Sequence, residues 1–487
     1  MASQTIAWSA FGAYLIITTL LALRGMKKTT GMESFALGNG DMGPLLVGIT
    51  LAASIASTAT FVINPGFVWA HGVSALMHFG VAGTSGVLLG LILLSRGFRR
   101  LGEEHRALTM PHWIGARYGS SGLRMYFAAL NLLFAVVFVV LIIKGSALVM
   151  QATLGLDYIT SVLVVVGFVF SYILMGGTYA HAYTNALQGS IMLIVAIAMV
   201  ASGLHLFGGE GLGFFERLAE TGESMTALVS TDPSPSAFLF DSAFEVFVCG
   251  FVMSFGLVCQ PHILMKSLYL RSETQLNRYL LIGSLVGVGF ALVLLVGLYA
   301  RVAYPDLQTV QDAVVPAYIE RAFSPTAGAL ISVALLAAGM STMDGILVSA
   351  STIAGNDLVL GLAGDRVKDK QRFALRASRA ILVAMGTVSL LIALDPPDLV
   401  GLFAWVGLYG LVAASLVPVT AGIFFRDVPA IGAAGAAIVG PLVHFGAYFG
   451  GLTPNPGVSA TCGVALSALV LAVSLVLRRA PAPAASQ

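Results

Sequence analysis

"ITLAASIASTATFVINPGF", residues 49–67, crowds small and hydroxyl side chains into an apolar run that ends in Asn64, Pro65 and Gly66. A proline inside a helix removes an amide donor and crowds the preceding turn, so this run predicts a helix broken near its middle. A broken helix frees main-chain carbonyls, and at membrane depth those are tolerated only where they line a cavity or hold an ion. A second run is interrupted at Gln260, Pro261 and His262. Paired interruptions in two halves of a chain point to an inverted-repeat bundle with its site near the midplane. The plainer alternative is that the small residues allow close helix packing and the prolines only kink.

Composition sets the environment of these runs. The 487 residues are 57% hydrophobic and 10% charged, with a mean hydropathy of +0.91, whereas a globular chain is about a quarter charged. The chain therefore reads as an all-α polytopic membrane protein. A span needs roughly 20 apolar residues to cross a core of about 30 Å, and thirteen runs qualify: 5–25, 43–70, 74–96, 124–152, 158–178, 182–206, 238–262, 278–303, 325–358, 377–394, 398–425, 430–450 and 459–477. The first is too long, and lacks the small-residue cleavage site, for a removed signal peptide. Cys249, Cys259 and Cys462 lie in apolar runs and offer no disulfide framework.

Lys and Arg favour cytoplasmic loops. One alternate set of loops holds Arg24, Lys27, Lys28, Arg96, Arg99, Arg100, Arg106, Arg117, Arg124, Lys266, Arg271 and Arg278, the stretch "GDRVKDKQRFALRASR", and Arg426, Arg478 and Arg479. The opposite loops carry only Arg217, Arg301 and Arg321, one of them in the acidic "GGEGLGFFERLAETGES". The expected topology has the N-terminus outside and the C-terminus in the cytoplasm, in the cell membrane. No loop is long enough for a second folded domain, so residues 1–487 read as one transmembrane domain.

Charges inside apolar runs cost several kcal/mol if they face lipid unpaired. Lys144, Asp241, Glu245 and Asp344 are such charges. Asp241 and Glu245, one turn apart at the outer end of the seventh run, suit a solvated mouth as well as a binding role. Asp344 belongs to "AAGMSTMDG", residues 337–345. On a helix Ala338, Ser341 and Thr342 share one face, and Asp344 lies about 60° to the other side of Ser341. Oxygen clusters of this kind suit a hard cation, with freed carbonyls completing its shell. Single histidines at 71, 78, 181 and 205 read as structural. No Ser/His/Asp grouping, metal-ligand spacing or nucleotide loop appears, so an enzyme is not expected.

Nearly the whole chain resembles the sodium:solute symporters, which include sugar, proline, pantothenate and acetate carriers. The resemblance rests on "FALGNGDMGPLLVGITLAASIASTATFVINPG", "YILMGGTYAHAYTNALQG", "QPHILMKSLYLRS", "LLAAGMSTMDGILVSAS" and "DPPDLVGLFAWVGLYGLVAASLVPVTAGIFF", in that order. The layout is most similar to the pantothenate, proline and acetate branch.

The resemblance implies a LeuT-like core of five plus five inverted helices within about 13 transmembrane helices. Residues 43–206 would form the first repeat and 238–425 the second, with 5–25 and 430–477 as additional helices. Its coupling sodium would be held by the carbonyls of Ala53, Ala56 and Ala338 and the hydroxyls of Ser341 and Thr342. Many relatives carry Asp where "TNALQ" has Asn185, and there it serves a second sodium. Asn185 and Asp344 are therefore a candidate second cation site, the alternatives being a single sodium tuned by Asp344, or Asp344 as a proton carrier in a proton-coupled symporter.

Sugar carriers project polar groups where this chain has Ile55 and Ala59, and proline carriers have Trp and Tyr where it has Met253 and Leu257. Ser57, Thr58, Phe61, Met253, Leu257, Gln260 and Trp405 would line a mostly apolar pocket suited to a small carboxylate. Lys144 or a half-helix N-terminus could receive its anionic end. The expected activity is sodium-coupled symport of a small organic solute into the cell by alternating access. A solute sensor of the same fold is a further alternative. The expected partners are the solute and the lipid bilayer, with no nucleic acid and no obligate protein partner.

Overall fold

The computed structural model describes residues 2–208, 212–229, 239–363, 367–396 and 400–479. These are helices joined by loops, with no strand among the described residues. In chain order they are α1 (Ala2–Met26), α2 (Met32–Ala36), α3 (Pro44–Ile55) and α4 (Ala59–His71). There follow α5 (Val73–Glu104), α6 (Met110–Tyr118), α7 (Ser121–Leu154), α8 (Tyr158–Leu174), α9 (Gly176–Phe207) and α10 (Phe214–Glu220). The second half contains α11 (Phe244–Leu257), α12 (Pro261–Tyr269), α13 (Glu273–Ala303), α14 (Val314–Ala322) and α15 (Pro325–Ala363). The chain continues with α16 (Lys370–Leu394), α17 (Val400–Phe424), α18 (Ala430–Phe449) and α19 (Pro456–Arg479).

Ten of these are long and apolar enough to cross a membrane, and two bent pairs each pass that test together. α3 and α4 meet at 57° across residues 56–58, in the small-residue stretch ahead of Asn64, Pro65 and Gly66, which themselves continue α4, and α11 and α12 meet at 62° at the Gln260–Pro261 interruption. The thirteen apolar runs overlay these spans and the shorter apolar α8; residues 238, 398 and 399 of two runs lie outside the described residues.

Short polar side chains start many of the helices. Thr109, Ser120, Asp157, Ser272, Ser324 and Asp369 each accept a hydrogen bond from an amide of the first turn, meeting donors that would otherwise have no partner. The break between α8 and α9 has a different origin. Gly177 adopts φ +53° and ψ −139°, a conformation open to glycine but not to L side chains, and a Cβ there would stand 2.4 Å from the Phe35 ring of α2.

The helices form two packed groups. The broken pairs lie with α5 and α13, α3 against α13 and α11 against α5, while α15 packs on α7, α8 and α9. In the apolar window of α15, 94% of residues are enclosed by protein, against 28% for α1 and for α19. The helix carrying the oxygen cluster is therefore central, and the outermost helices are lipid-facing. A hydroxyl or carboxylate on α15 must find its partners within the protein.

Candidate functional site

The end of α3 unwinds at Ala56, whose φ of −83° and ψ of 110° are extended. The Ser57 amide, which would continue the helix, turns instead to Thr60 Oγ1 at 3.3 Å. The Ala53 carbonyl is thereby released from the helical ladder and meets α15. It accepts from Ser341 Oγ at 2.8 Å and from Thr342 Oγ1 at 3.4 Å. Thr342 Oγ1 also reaches the Ala56 carbonyl at 3.2 Å, and Ser341 Oγ the Ala338 carbonyl at 2.8 Å. All five residues are buried.

The five positions expected to hold sodium thus come together as one oxygen cage across the α3–α15 contact. Two hydroxyl hydrogens serve three carbonyls, so the cage is rich in lone pairs. A hard cation with oxygens at roughly 2.3–2.6 Å leaves octahedral neighbours roughly 3.3–3.7 Å apart. The observed separations of 2.8–3.4 Å are slightly tighter, and a small outward shift of each oxygen admits such an ion. Among the described residues no carboxylate hydrogen-bonds to the cage. A neutral oxygen set suits a monovalent ion, since the larger desolvation cost of a divalent one would go unmatched.

Asn185 and Asp344 flank the cage without joining each other. Asn185 Nδ2 donates to Ser54 Oγ and to the Ser341 carbonyl, both at 3.0 Å. The amide orientation follows from Ser341, because a carbonyl accepts only from the NH2 group. Asp344 turns away: one carboxylate oxygen accepts from the Tyr172 hydroxyl, the other from Thr184 Oγ1 at 3.1 Å. Tyr172 was invisible to sequence reasoning, because its position along α8 carries no periodic link to α15. Thr184 is the residue before Asn185, and its adjacency was the available signal.

The expected solute residues do not form one pocket. Gln260 lines a cavity of about 30 Å³ with Asn131, Phe138, His262, Ser349 and Leu408, room for one or two waters. Leu257 lines another, of about 160 Å³, inside the group of broken helices with Ala56, Thr60, Asn64 and Ser254. Phe61 packs edge-on against Phe290, 5.4 Å between centroids. Trp405 stacks on Phe67 at 4.5 Å and on Tyr409 at 6.2 Å. Met253, Ser57 and Thr58 are buried at the breaks. Lys144 is half-buried on α7, within electrostatic reach of Asp312 in the loop before α14, and burial raises the Asp312 carboxyl above its ordinary range. Glu245 accepts from the Asp241 amide at 2.7 Å at the start of α11, a helix-capping arrangement.

The model of the Sodium:solute symporter family matches residues 35–440. The sodium/pantothenate symporter of Escherichia coli (strain K12) is 27% identical over 440 residues, 89% of this chain and 88% of that protein. The sodium/proline symporter of Staphylococcus aureus (strain Newman) is 25% identical over 448 residues, 88% and 83% of the two chains. Among solved structures, a Na+-coupled sialic acid symporter in a substrate-bound outward-open state superposes with a TM-score of 0.79 at 18% identity, covering 98% of this chain and 99% of that one. That likeness shows the fold, a LeuT-like inverted repeat.

Proposed function

The chain belongs to the sodium:solute symporter family, and from that premise we propose that the cage of Ala53, Ala56, Ala338, Ser341 and Thr342 is where it takes its coupling sodium. It is a multi-pass membrane transporter, not an enzyme, and couples a small organic solute to sodium. One observation carries the site: two hydroxyls of α15 bridge to carbonyls freed at the break after α3. An ion there joins a broken helix of one packed group to the central helix of the other. Binding in one arrangement only shifts the protein toward it, and the solute gains affinity by the same linkage.

One sodium per cycle fits best. The position that would offer a second ion a carboxylate is Asn185, whose NH2 group points at the Ser341 carbonyl, and Asp344 is engaged by Tyr172 and Thr184. The repeats are assigned to 43–206 and 238–425, each opening on a bent pair. The N-terminus is assigned outside and the C-terminus to the cytoplasm. Supporting this, Lys28, Arg99, Arg117, Arg124 and Arg271 bond to groups in the loops assigned inside or at their edges, while Arg217, Arg301 and Arg321 do so in those assigned outside.

For the solute we propose a small carboxylate with an apolar body, from the apolar breaks around Met253 and Leu257 and the positive end of α4. A thermal-shift panel of organic acids, amino acids and sugars tests this with the purified protein. An acid should stabilise it only when sodium is present. Stabilisation by a sugar alone, or equally with and without sodium, would overturn the assignment.

A further inference from the structure

Thr58 and Ser146 carry two hydroxyls that the sodium cage does not use. Both residues are at most 1% exposed, and neither hydroxyl oxygen has a hydrogen-bond partner. A buried hydroxyl in that condition is costly, so two converging on one spot call for an occupant that bonds to both. They converge on Gly339 of α15. A Cβ at Gly339 would lie 2.6 Å from Thr58 Oγ1 and 2.3 Å from Ser146 Oγ. The Thr58 methyl is seated as closely on α7, 2.3 Å from the point a Gly145 Cβ would take. Two glycines therefore let the break of the first bent pair close directly onto the central helices, with both hydroxyls in the seam.

The electrostatics of the seam select the occupant. Thr58 is the cap residue at the start of α4, where the partial positive charge of the half-helix is concentrated. The carbonyls of Ala53, Ala56 and Ala338 face the cage instead. Two hydroxyl donors beside a positive helix end suit an anion and disfavour a second cation. Gly339 directly follows Ala338, so an anion here and a sodium in the cage would sit at consecutive residues of α15 and attract each other.

We propose that the Thr58 and Ser146 hydroxyls, across the Cβ-free face of Gly339, receive the carboxylate of the transported solute when the seam parts. This rests on the reading of the solute as a carboxylate. Thr58 and Ser146 fix its charged end, and the missing Cβ at Gly145 and Gly339 lets both hydroxyls approach one spot on α15.

The test is sodium-driven uptake into proteoliposomes of radiolabelled pantothenate and, separately, acetate. Competition by pantothenol, in which CH2OH replaces the carboxylate, measures discrimination for the charge. Ser146→Ala and the near-isosteric Thr58→Val should each raise the KM of the transported acid on the order of tenfold or more. The sodium concentration for half-maximal uptake at saturating acid, and the melting-temperature gain from sodium alone, should stay unchanged. Preference for the acid over the alcohol should fall in the same variants, and Ser146→Thr and Thr58→Ser, which keep the hydroxyl, should restore it. Unchanged KM in both hydroxyl-less variants, or equal losses for acid and alcohol, would overturn the subsite while leaving the carboxylate reading intact. Wild-type protein that takes up neither acid would overturn that reading, and the subsite with it.

Discussion

The Ser341 hydroxyl on α15 donates to the Ala53 carbonyl at the end of α3 across 2.8 Å, joining residues 288 apart in the chain. This contact connects a broken helix to the most enclosed one through the atoms that would strip sodium of its water. Ser341→Ala removes one cage oxygen and leaves the Ala53 carbonyl with the longer 3.4 Å contact to Thr342. The sodium concentration for half-maximal uptake should rise on the order of tenfold or more. Ser341→Ala/Thr342→Ala should abolish sodium-driven accumulation and the thermal stabilisation by sodium, and should also lower the sodium-free melting temperature, because the buried Ala53 and Ala56 carbonyls lose their donors. Uptake measured against sodium at fixed solute decides it, and an unchanged curve in the double variant would remove the cage from the mechanism.

Asn185 gives the ion count a direct test. Its NH2 group meets the Ser341 carbonyl and Ser54 Oγ at 3.0 Å. Asn185→Asp places a carboxylate oxygen against a carbonyl, two acceptors that need a cation between them. Wild type should show a Hill coefficient for sodium near one, and the variant a value clearly above one. Without sodium the variant should also melt lower, recovering as sodium is added. A wild-type coefficient clearly above one would defeat the single-ion assignment.

The cage residues were legible because two short-range rules converge on them. Helical spacing puts Ala338, Ser341 and Thr342 on one face, and the small-residue run before Asn64 and Pro65 marks where carbonyls come free. Asp344 was legible as a charge needing a partner. Its partner Tyr172 was not, since only the packing of α8 on α15 brings the phenol there. The solute residues were the least legible. Phe61 and Trp405 turn to the rings of Phe290 and Phe67, and Ser146 gained meaning only when α7 laid it against Gly339. Contacts of that kind depend on how helices rotate about their own axes, which sequence spacing constrains weakly in an all-round apolar helix.

Asp41, in the loop before α3, gives a pH prediction. It accepts from the Tyr179 hydroxyl at 2.5 Å and from Lys28 Nζ at 3.0 Å, and the Asn39 amide donates to the same hydroxyl at 2.9 Å. The Tyr179 hydrogen bond, with help from Lys28, holds the Asp41 carboxyl below its ordinary range. A depressed carboxyl contributes stability above its unfolded value, about 3.9, and loses it as pH falls through the lower folded value. The tie from this loop to α9 should therefore hold unchanged from pH 8 to 5 and loosen only in stronger acid. With the exposed Cys462 replaced by alanine, Asn39→Cys reports on it through maleimide labelling. Asp41→Asn should speed labelling severalfold over the Asp41 parent at pH 7, with a ratio constant between pH 5 and 8. A ratio of one would show that the tie does not restrain the loop.

The C-terminal end of α15 is held by a charge pair whose two halves should behave unequally. Asp357 is fully enclosed, and Arg124 is 28% exposed by its side chain. Arg124 Nε donates to Asp357 Oδ1 at 2.6 Å and Thr109 Oγ1 to Oδ2 at 2.5 Å, while Arg124 Nη2 also reaches the Asn356 carbonyl at 3.1 Å. Removing the arginine strands a buried carboxylate, whereas removing both charges leaves only the neutral Thr109 and Asn356 donors without their acceptor, a smaller cost. Arg124→Leu should destabilise the protein on the order of 3 kcal/mol, and Arg124→Leu/Asp357→Leu by less than the single change. That inversion separates desolvation from simple loss of a contact. The sodium dependence of uptake should move in neither variant, because the pair lies more than three helical turns along α15 from Thr342. Melting of the two variants side by side settles it: a double variant at least as unstable as Arg124→Leu would mean that the pair contributes net stability beyond neutralising Asp357.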